Sequence, residues 1–410
     1  MERTDFKMNT TPSSERLHIA IFGKRNAGKS SLINAITNQP IAIVSDMPGT
    51  TTDPVYKSME ILPLGPVVLI DTAGIDDEGI LGKLRVEKTL EVLNKTDIAI
   101  LVVSDIDDLT YEKQLAKLFD EKKVQKIGVL NKIDKDPNYK EKLSFLQSSL
   151  GMPFLAVSCV TLKGIDELKS SLSKLVPDVG EDLRIVGDLI NPGDFVVLVV
   201  PIDKAAPKGR LILPQQQTIR DILDSDAIAI VTKEYELKET IENLGKKPAI
   251  VITDSQAFLK VDADTPPDIP LTSFSILFAR YKGDLVEFVE GVRKIKDLKP
   301  GDTVLIAEAC THHRQSDDIG TVKIPRWLRQ IAGFDINFEW VSGYNYPKDL
   351  TKYKLIIHCG GCMITRREML FRVELAKKQG VPITNYGLMI AYVHGILPRA
   401  LKPFGIEFEY

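Results

Sequence analysis

Cysteine is scarce in this chain: four in 410 residues are too few to build a disulfide scaffold. In a reducing compartment such thiols more often serve as metal ligands or redox groups, so their placement says more than their number. Long hydrophobic runs are also missing. No uninterrupted apolar stretch approaches the ~18 residues that span a bilayer, which argues against a membrane role. Nor is there an excess of charge of one sign: the formal net charge is -3, so no global basic field draws a phosphate backbone, and nucleic acid is a poor partner. The first residues, Met1 to Arg16, lack the apolar centre of a secretory signal. They read as a flexible polar tail (1–16) on a cytoplasmic protein.

What the chain does have is an ordinary globular composition, 44% hydrophobic and 27% charged, and a length beyond that of a single core. Two or three domains are expected. From Leu17 onward β-rich runs alternate with helical patterns, the signature of βαβ units around a parallel-type sheet, so the fold class is α/β. Expected strands in residues 17–176 are Leu17 to Phe22, Val67 to Ile70, Ile98 to Val103, Ile127 to Leu130 and Phe154 to Val157. A Gly- and Pro-containing acidic stretch then marks a boundary, and a second α/β domain (177–265) carries Phe195 to Val200, Ile228 to Val231 and Ile250 to Ile252. The Pro-rich segment around Asp262 to Pro270 marks the next boundary. A third α/β domain (266–410) carries Val304 to Ala307, Phe338 to Val341, Leu355 to Ile357 and Ile383 to Asn385. No repeat appears at solenoid periods, although recurring α/β units leave room for a distant duplication.

Gly23-Lys24-Arg25-Asn26-Ala27-Gly28-Lys29-Ser30 fits G-x-x-x-x-G-K-[ST], directly after a strand and before the helical pattern Leu32, Ile33, Ile36. Such a loop closes backbone N–H groups around phosphate oxygens, with Lys29 reaching the outer phosphates, Ser30 holding Mg2+ and Ser31 beside it. Three further elements follow in order. Asp71-Thr72-Ala73-Gly74 ends a strand, where Asp71 reaches Mg2+ through water and the Gly74 N–H meets the γ-phosphate. In Asn131-Lys132-Ile133-Asp134 the last carboxylate accepts from guanine N1 and N2, a donor pair that adenine lacks, so the nucleotide is GTP. Ser158-Cys159-Val160 stands where the usual Ser-Ala-Lys loop backs the base, and Cys159 is expected as a small apolar core residue.

The other cysteines, Cys310, Cys359 and Cys362, share the last third with His312, His313, His358 and His394. Cys310 and Cys359 each follow an expected strand, and the carboxyl ends of parallel strands form one edge where ligands collect. Thr365 and Glu368 have the spacing of a capping box, which would turn a helix N-terminus toward an anionic group. Metal binding is the reading favoured over buried or redox cysteines. Structural zinc and a [4Fe–4S] cluster with one replaceable ligand both fit this set.

The nucleotide motifs resemble those of GTPases similar to TrmE, Era and Der. Gly49-Thr50-Thr51-Thr52-Asp53 looks like their Gly-Thr-Thr-Arg-Asp switch with Thr52 in place of the Arg, which implies Thr50 or Thr51 as a Mg2+ ligand. The same resemblance implies that Asn26 helps to bind K+. Ile75 stands where Ras-like enzymes carry a water-orienting Gln, so intrinsic hydrolysis should be slow and the domain should act as a switch. On this reading Lys29, Thr50, Thr51, Asp71 and Gly74 form the hydrolytic machinery.

Cys310-Thr311-His312, then 45 residues, then His358-Cys359-Gly360-Gly361-Cys362 resembles the Cys-x-His…His-Cys-x-x-Cys signature of the HydF family of [FeFe]-hydrogenase maturation GTPases, and the segment Pro201 to Gln215 resembles that family's middle domain. The resemblance implies a homodimer, with higher oligomers open, formed through the middle domain. It further implies three cysteines holding a [4Fe–4S] cluster in the last domain, and a scaffold role for the two-iron subcluster precursor. The implied partners are two radical-SAM maturases and apo-[FeFe]-hydrogenase. The fourth iron ligand stays open among His312, His358, a carboxylate and water, either histidine also being suited to an outer hydrogen bond. The competing class is an RNA- or ribosome-associated GTPase with a structural zinc or redox cysteine site.

Overall fold

In the computed structural model the apolar runs of the first 160 residues become the strands of one sheet. The structure describes residues 12–38, 54–72, 89–176, 183–201, 211–309, 318–343 and 345–410. They divide into two units, Met1–Asp178 and Val179–Tyr410. In the first, β1 (Leu17–Phe22), β2 (Val55–Ile61), β3 (Gly65–Asp71), β4 (Ile98–Val103), β5 (Gln125–Leu130) and β6 (Phe154–Ala156) lie in the order β2-β3-β1-β4-β5-β6. The central strands β1 and β4 are almost wholly buried, as parallel strands covered on both faces must be.

The sheet is mixed rather than purely parallel, because β2 runs antiparallel to β3. Only Leu62 to Leu64 separate the two strands, and so short a link joins antiparallel neighbours only. β2 was not among the expected strands: Val55-Tyr56-Lys57-Ser58-Met59-Glu60-Ile61 alternates half-buried and exposed residues, the pattern of an edge strand with one covered face. The expected tail also ends earlier than Arg16, since Ser13–Glu15 form a 3-10 turn and Arg16 donates to the Met59 carbonyl of β2 at 3.1 Å.

The second unit contains two four-stranded, wholly parallel sheets. One holds β7 (Phe195–Val199), β8 (Ile228–Thr232), β9 (Ile250–Thr253) and β10 (Leu271–Ser273) in the order β10-β9-β7-β8. The other holds β11 (Thr303–Glu308), β12 (Asn337–Ser342), β13 (Leu355–His358) and β14 (Ile383–Asn385) in the order β12-β11-β13-β14. The boundary expected at 265/266 therefore cuts a sheet, because β10 hydrogen-bonds to β9.

In both sheets the first strand lies between the second and third, with the fourth outside the third. The sequences agree. Asn191-Pro192-Gly193-Asp194 leads into the first sheet and Lys299-Pro300-Gly301-Asp302 into the second. Ile269-Pro270-Leu271-Thr272-Ser273-Phe274 and Val381-Pro382-Ile383-Thr384-Asn385-Tyr386 form the last strands and the starts of the following helices, Phe274–Lys282 and Tyr386–Val393. Ser273 and Asn385, at matching positions, both cap these helices with their side chains. The helices meet at matching positions too, since a Cβ on Gly387 would lie 2.6 Å from that of Ser275. These matches read as a duplication, with the two halves meeting at equivalent positions as subunits do across a two-fold axis. Among the described residues no helix is long and apolar enough to cross a membrane.

Candidate nucleotide and metal sites

The phosphate loop leaves β1 through Gly23, whose φ of 147° belongs to glycine and where a Cβ would stand 2.3 Å from the Val102 carbonyl oxygen of β4. Gly28, at φ 98°, starts the helix Lys29–Thr37, and a Cβ there would stand 2.2 Å from Asn131 Nδ2. Both motif glycines are thus required by close approach as well as by backbone angle. Lys29 is buried and donates through Nζ to the carbonyls of Gly23 (2.8 Å) and Lys24 (2.9 Å), so its charge sits over the loop. Exposed Asn26 is one residue from buried Ala27, and its carbonyl accepts from Lys132 Nζ at 2.6 Å.

Ser30 Oγ donates to Asp71 Oδ2 at 2.7 Å. Burial pushes the Asp71 carboxyl up, opposed by Ser30 and by Lys29. The pair brings a hydroxyl and a carboxylate oxygen together at the loop's exit, the donor set that suits Mg2+ on a nucleotide's outer phosphates. Thr50, Thr51 and Gly74 lie outside the described residues.

The elements expected to recognise the base are hydrogen-bonded to the loop that follows β1. Asn131 Nδ2 donates to the Ala27 carbonyl at 3.1 Å, while Asn131 Oδ1 accepts from the Lys132 N–H at 2.8 Å. Exposed Asp134 accepts from Ser158 Oγ at 2.7 Å, and this bond holds its carboxyl below the usual range, so it is ionised at neutral pH and can act only as an acceptor. Cys159 is half-buried, and its thiol donates to Asn131 Oδ1 at 3.2 Å. Burial pushes that thiol up to about 11, which makes it a brace for Asn131 and unreactive at neutral pH. The expectation of a plain apolar core residue there misses this hydrogen bond. Val160 is exposed.

In the second unit, β11 and β13 are parallel neighbours, and the Cys359 N–H continues their ladder to the Ala307 carbonyl at 2.9 Å. The N–H of Ala309, the residue before Cys310, donates to Cys359 Sγ at 3.0 Å. The turn to Cys362 passes through Gly361, which has φ 66° and where a Cβ would stand 2.3 Å from Met369 Cε. Burial pushes the Cys362 thiol up, and the ammonium of Lys282 opposes it. Cys310, His312 and His313 lie outside the described residues, and among the described residues no three His, Cys, Asp or Glu side chains form a metal-sized group.

His358 is fully buried, and both its ring nitrogens are engaged: Nε2 faces Arg372 NH1 at 3.0 Å and Nδ1 faces the Cys359 carbonyl at 2.8 Å. A guanidinium only donates, so Nε2 accepts and Nδ1–H donates. Burial and then Arg372 push the ring down to about 3. His358 therefore orients the Cys359 peptide, which favours the outer hydrogen bond over iron ligation, the two roles its place in the sequence left open. Arg372 also pairs with Glu368 Oε1 at 2.9 Å and donates to the Gly343 carbonyl at 2.8 Å. Thr365 does cap the helix Arg366–Lys378, accepting from the Glu368 N–H at 3.2 Å, but the Glu368 carboxylate is turned to Arg372. His394 packs edge-on against Trp327 at 5.3 Å. Sequence reasoning missed Arg372, Lys282 and Glu308, the last a buried carboxylate at the end of β11 that accepts from Tyr386 at 3.3 Å. Only the placement of Glu308 two residues before Cys310 left a signal in the sequence.

Comparison with known proteins finds three family models along the chain. The 50S ribosome-binding GTPase model matches residues 18–132, the Hydrogen maturase F dimerization domain 185–283 and the Hydrogen maturase F tetramerization domain 286–403. The tRNA modification GTPase MnmE of Chromobacterium violaceum is 34% identical over 41% of this chain and 36% of its own length. That of Geobacillus thermodenitrificans is 36% identical over 39% of this chain and 34% of its own. The chain thus spans about a third of the length of these relatives. Among solved structures, Era of Aquifex aeolicus bound to GDP and aluminium fluoride aligns with 61% of this chain and 99% of its own, at 19% identity and a TM-score of 0.36.

Proposed function

The chain belongs to the hydrogen maturase F family of GTPases, and we propose that it is the GTP-hydrolysing scaffold or carrier on which the two-iron subcluster of [FeFe]-hydrogenase is assembled and from which it is delivered. In the nucleotide domain, Gly23 to Ser31 bind the phosphates, Ser30 and Asp71 hold Mg2+ with Thr50 or Thr51, and Asp134 selects guanine. Asn26 contributes to a K+ site, and Gly74 meets the γ-phosphate. With Ile75 in place of a water-orienting Gln, turnover is slow and nucleotide state acts as a switch that changes an interface.

In the last domain the thiolates of Cys310, Cys359 and Cys362 hold a [4Fe–4S] cluster. The observation that carries this reading is the Ala309 N–H to Cys359 Sγ bond, made by the residue directly before Cys310. Such a bond favours the thiolate, the form that ligates iron. When bound, the cluster supplies an iron with one exchangeable position. His358 is engaged elsewhere, so that position falls to His312, to water or to a carboxylate, for which buried Glu308 qualifies. The names of the two matched maturase domains support self-association, read here as a homodimer that assembles further. Two radical-SAM maturases and apo-[FeFe]-hydrogenase are the proposed partners. Metal analysis after anaerobic purification tests the site: iron and sulfide are expected, and a colourless protein with stoichiometric zinc contradicts it.

A further inference from the structure

We propose that Lys282 is a positioning residue of the cysteine site: its ammonium fixes the turn that carries Cys362 and balances the charge of the metal group bound there. The proposal rests on reading that site as a metal centre. Lys282 ends the helix Phe274–Lys282, which follows β10 and lies within the segment matched by the dimerization domain. Its side chain nevertheless serves the next domain. Lys282 is 1% exposed, and Nζ donates to the carbonyls of Ile364 (2.9 Å) and Cys362 (3.2 Å), with that of Gly361 at 3.5 Å. All three carbonyls belong to the turn between the second glycine of Cys359-Gly360-Gly361-Cys362 and the helix Arg366–Lys378. The adjoining Tyr281 carbonyl accepts from Arg366 Nε at 3.1 Å, so backbone and side chain of residues 281–282 together grip the turn and the start of the helix.

Packing alone does not call for a lysine. Burying an ammonium carries a desolvation cost, and an apolar chain of the same length would fill the space without it but could not donate to the carbonyls of the turn. The duplication supplies a comparison: the matching residue of the second half is His394, which packs against Trp327. The repeated fold is therefore built with another residue at this position. What distinguishes position 282 is its place beside the cysteine turn.

Three thiolates outweigh the charge of a [4Fe–4S]2+ core by one, and reduction adds another negative charge. A cation buried beside one ligand stabilises the more negative state, the more so in low dielectric. Removing it should make the cluster harder to reduce.

The test uses full-length protein reconstituted anaerobically with iron and sulfide, and a redox titration of the cluster followed by electron paramagnetic resonance. At the potential that half-reduces the wild-type cluster, Lys282→Met and Lys282→Gln should lower the reduced-to-oxidised ratio by about tenfold, equal to about 59 mV for one electron. Lys282→Arg should recover most of that shift. Should Lys282→Met fail to fold, Lys282→Gln carries the comparison, because its amide keeps a donor while losing the charge. Midpoints unchanged from a loaded wild type overturn the role of Lys282 and leave the metal site standing. A wild-type protein that takes up no cluster overturns the metal reading, and this inference with it.

Discussion

Replacing Arg372 by Met removes the cation of a fully buried network while nearly keeping its volume. Arg372 has no exposed surface, and its guanidinium serves the Glu368 carboxylate, His358 Nε2 and the Gly343 carbonyl while lying 4.9 Å from the centre of the Tyr346 ring. The substitution strands a buried carboxylate, and breaking such a pair on one side costs roughly 3–5 kcal/mol. For a unit of this size that lowers the melting temperature by about 6–20 °C. The readout is selective, because both tryptophans, Trp327 and Trp340, belong to the second unit, so their fluorescence follows its unfolding alone. A double variant with Glu368→Gln also removes the stranded charge and should be more stable than the sum of the single losses predicts, by about 0.5–3 kcal/mol. A tryptophan transition displaced by less than about 1 kcal/mol in Arg372→Met, or strict additivity in the double variant, refutes the network as the support of the cysteine turn.

Asp134→Asn should cut the preference for GTP over ATP by roughly 10- to 100-fold, since a charged acceptor of two base protons is lost; equal selectivity in competition binding contradicts the assignment. Gly28→Ala forces a side chain onto Asn131 Nδ2 at a backbone angle unsuited to it, so nucleotide binding should fail while the tryptophan transition stays unchanged. Asn26→Ala should abolish any extra stimulation of GTP hydrolysis by K+ over Na+; a variant that keeps it places the cation elsewhere.

Much of the first domain was legible because its chemistry is local. Continuous apolar runs such as Ile98–Val103 announce strands buried on both faces, and the phosphate loop is contiguous, so its strand-turn-helix setting could be read directly. β2 escaped because an edge strand with one covered face mixes Lys57, Ser58 and Glu60 into its apolar residues. In the second unit the strands leading toward the cysteines were legible, but the side chains that brace the Cys359–Cys362 turn were not. Lys282 and Arg372 act on partners far away in sequence or on the inner face of a helix that reads as strongly charged, Arg366-Arg367-Glu368. The duplication was obscured because the halves carry different chemistry where they match: Thr253-Asp254-Ser255 ends β9 where His358-Cys359-Gly360 ends β13. Shared strand order made the weak Pro-Gly-Asp and Pro-x-Thr matches interpretable.

The central claim is that the cysteines carry iron for delivery while the nucleotide domain drives the cycle. It is tested most directly by assaying Cys359→Ala and a Lys29 replacement side by side for iron content, GTP hydrolysis and activation of apo-[FeFe]-hydrogenase. Cys359→Ala should lose bound iron and activation yet keep basal GTP hydrolysis, and the Lys29 variant should take up the cluster yet fail in turnover. Normal activation by an iron-free Cys359→Ala protein would contradict the account.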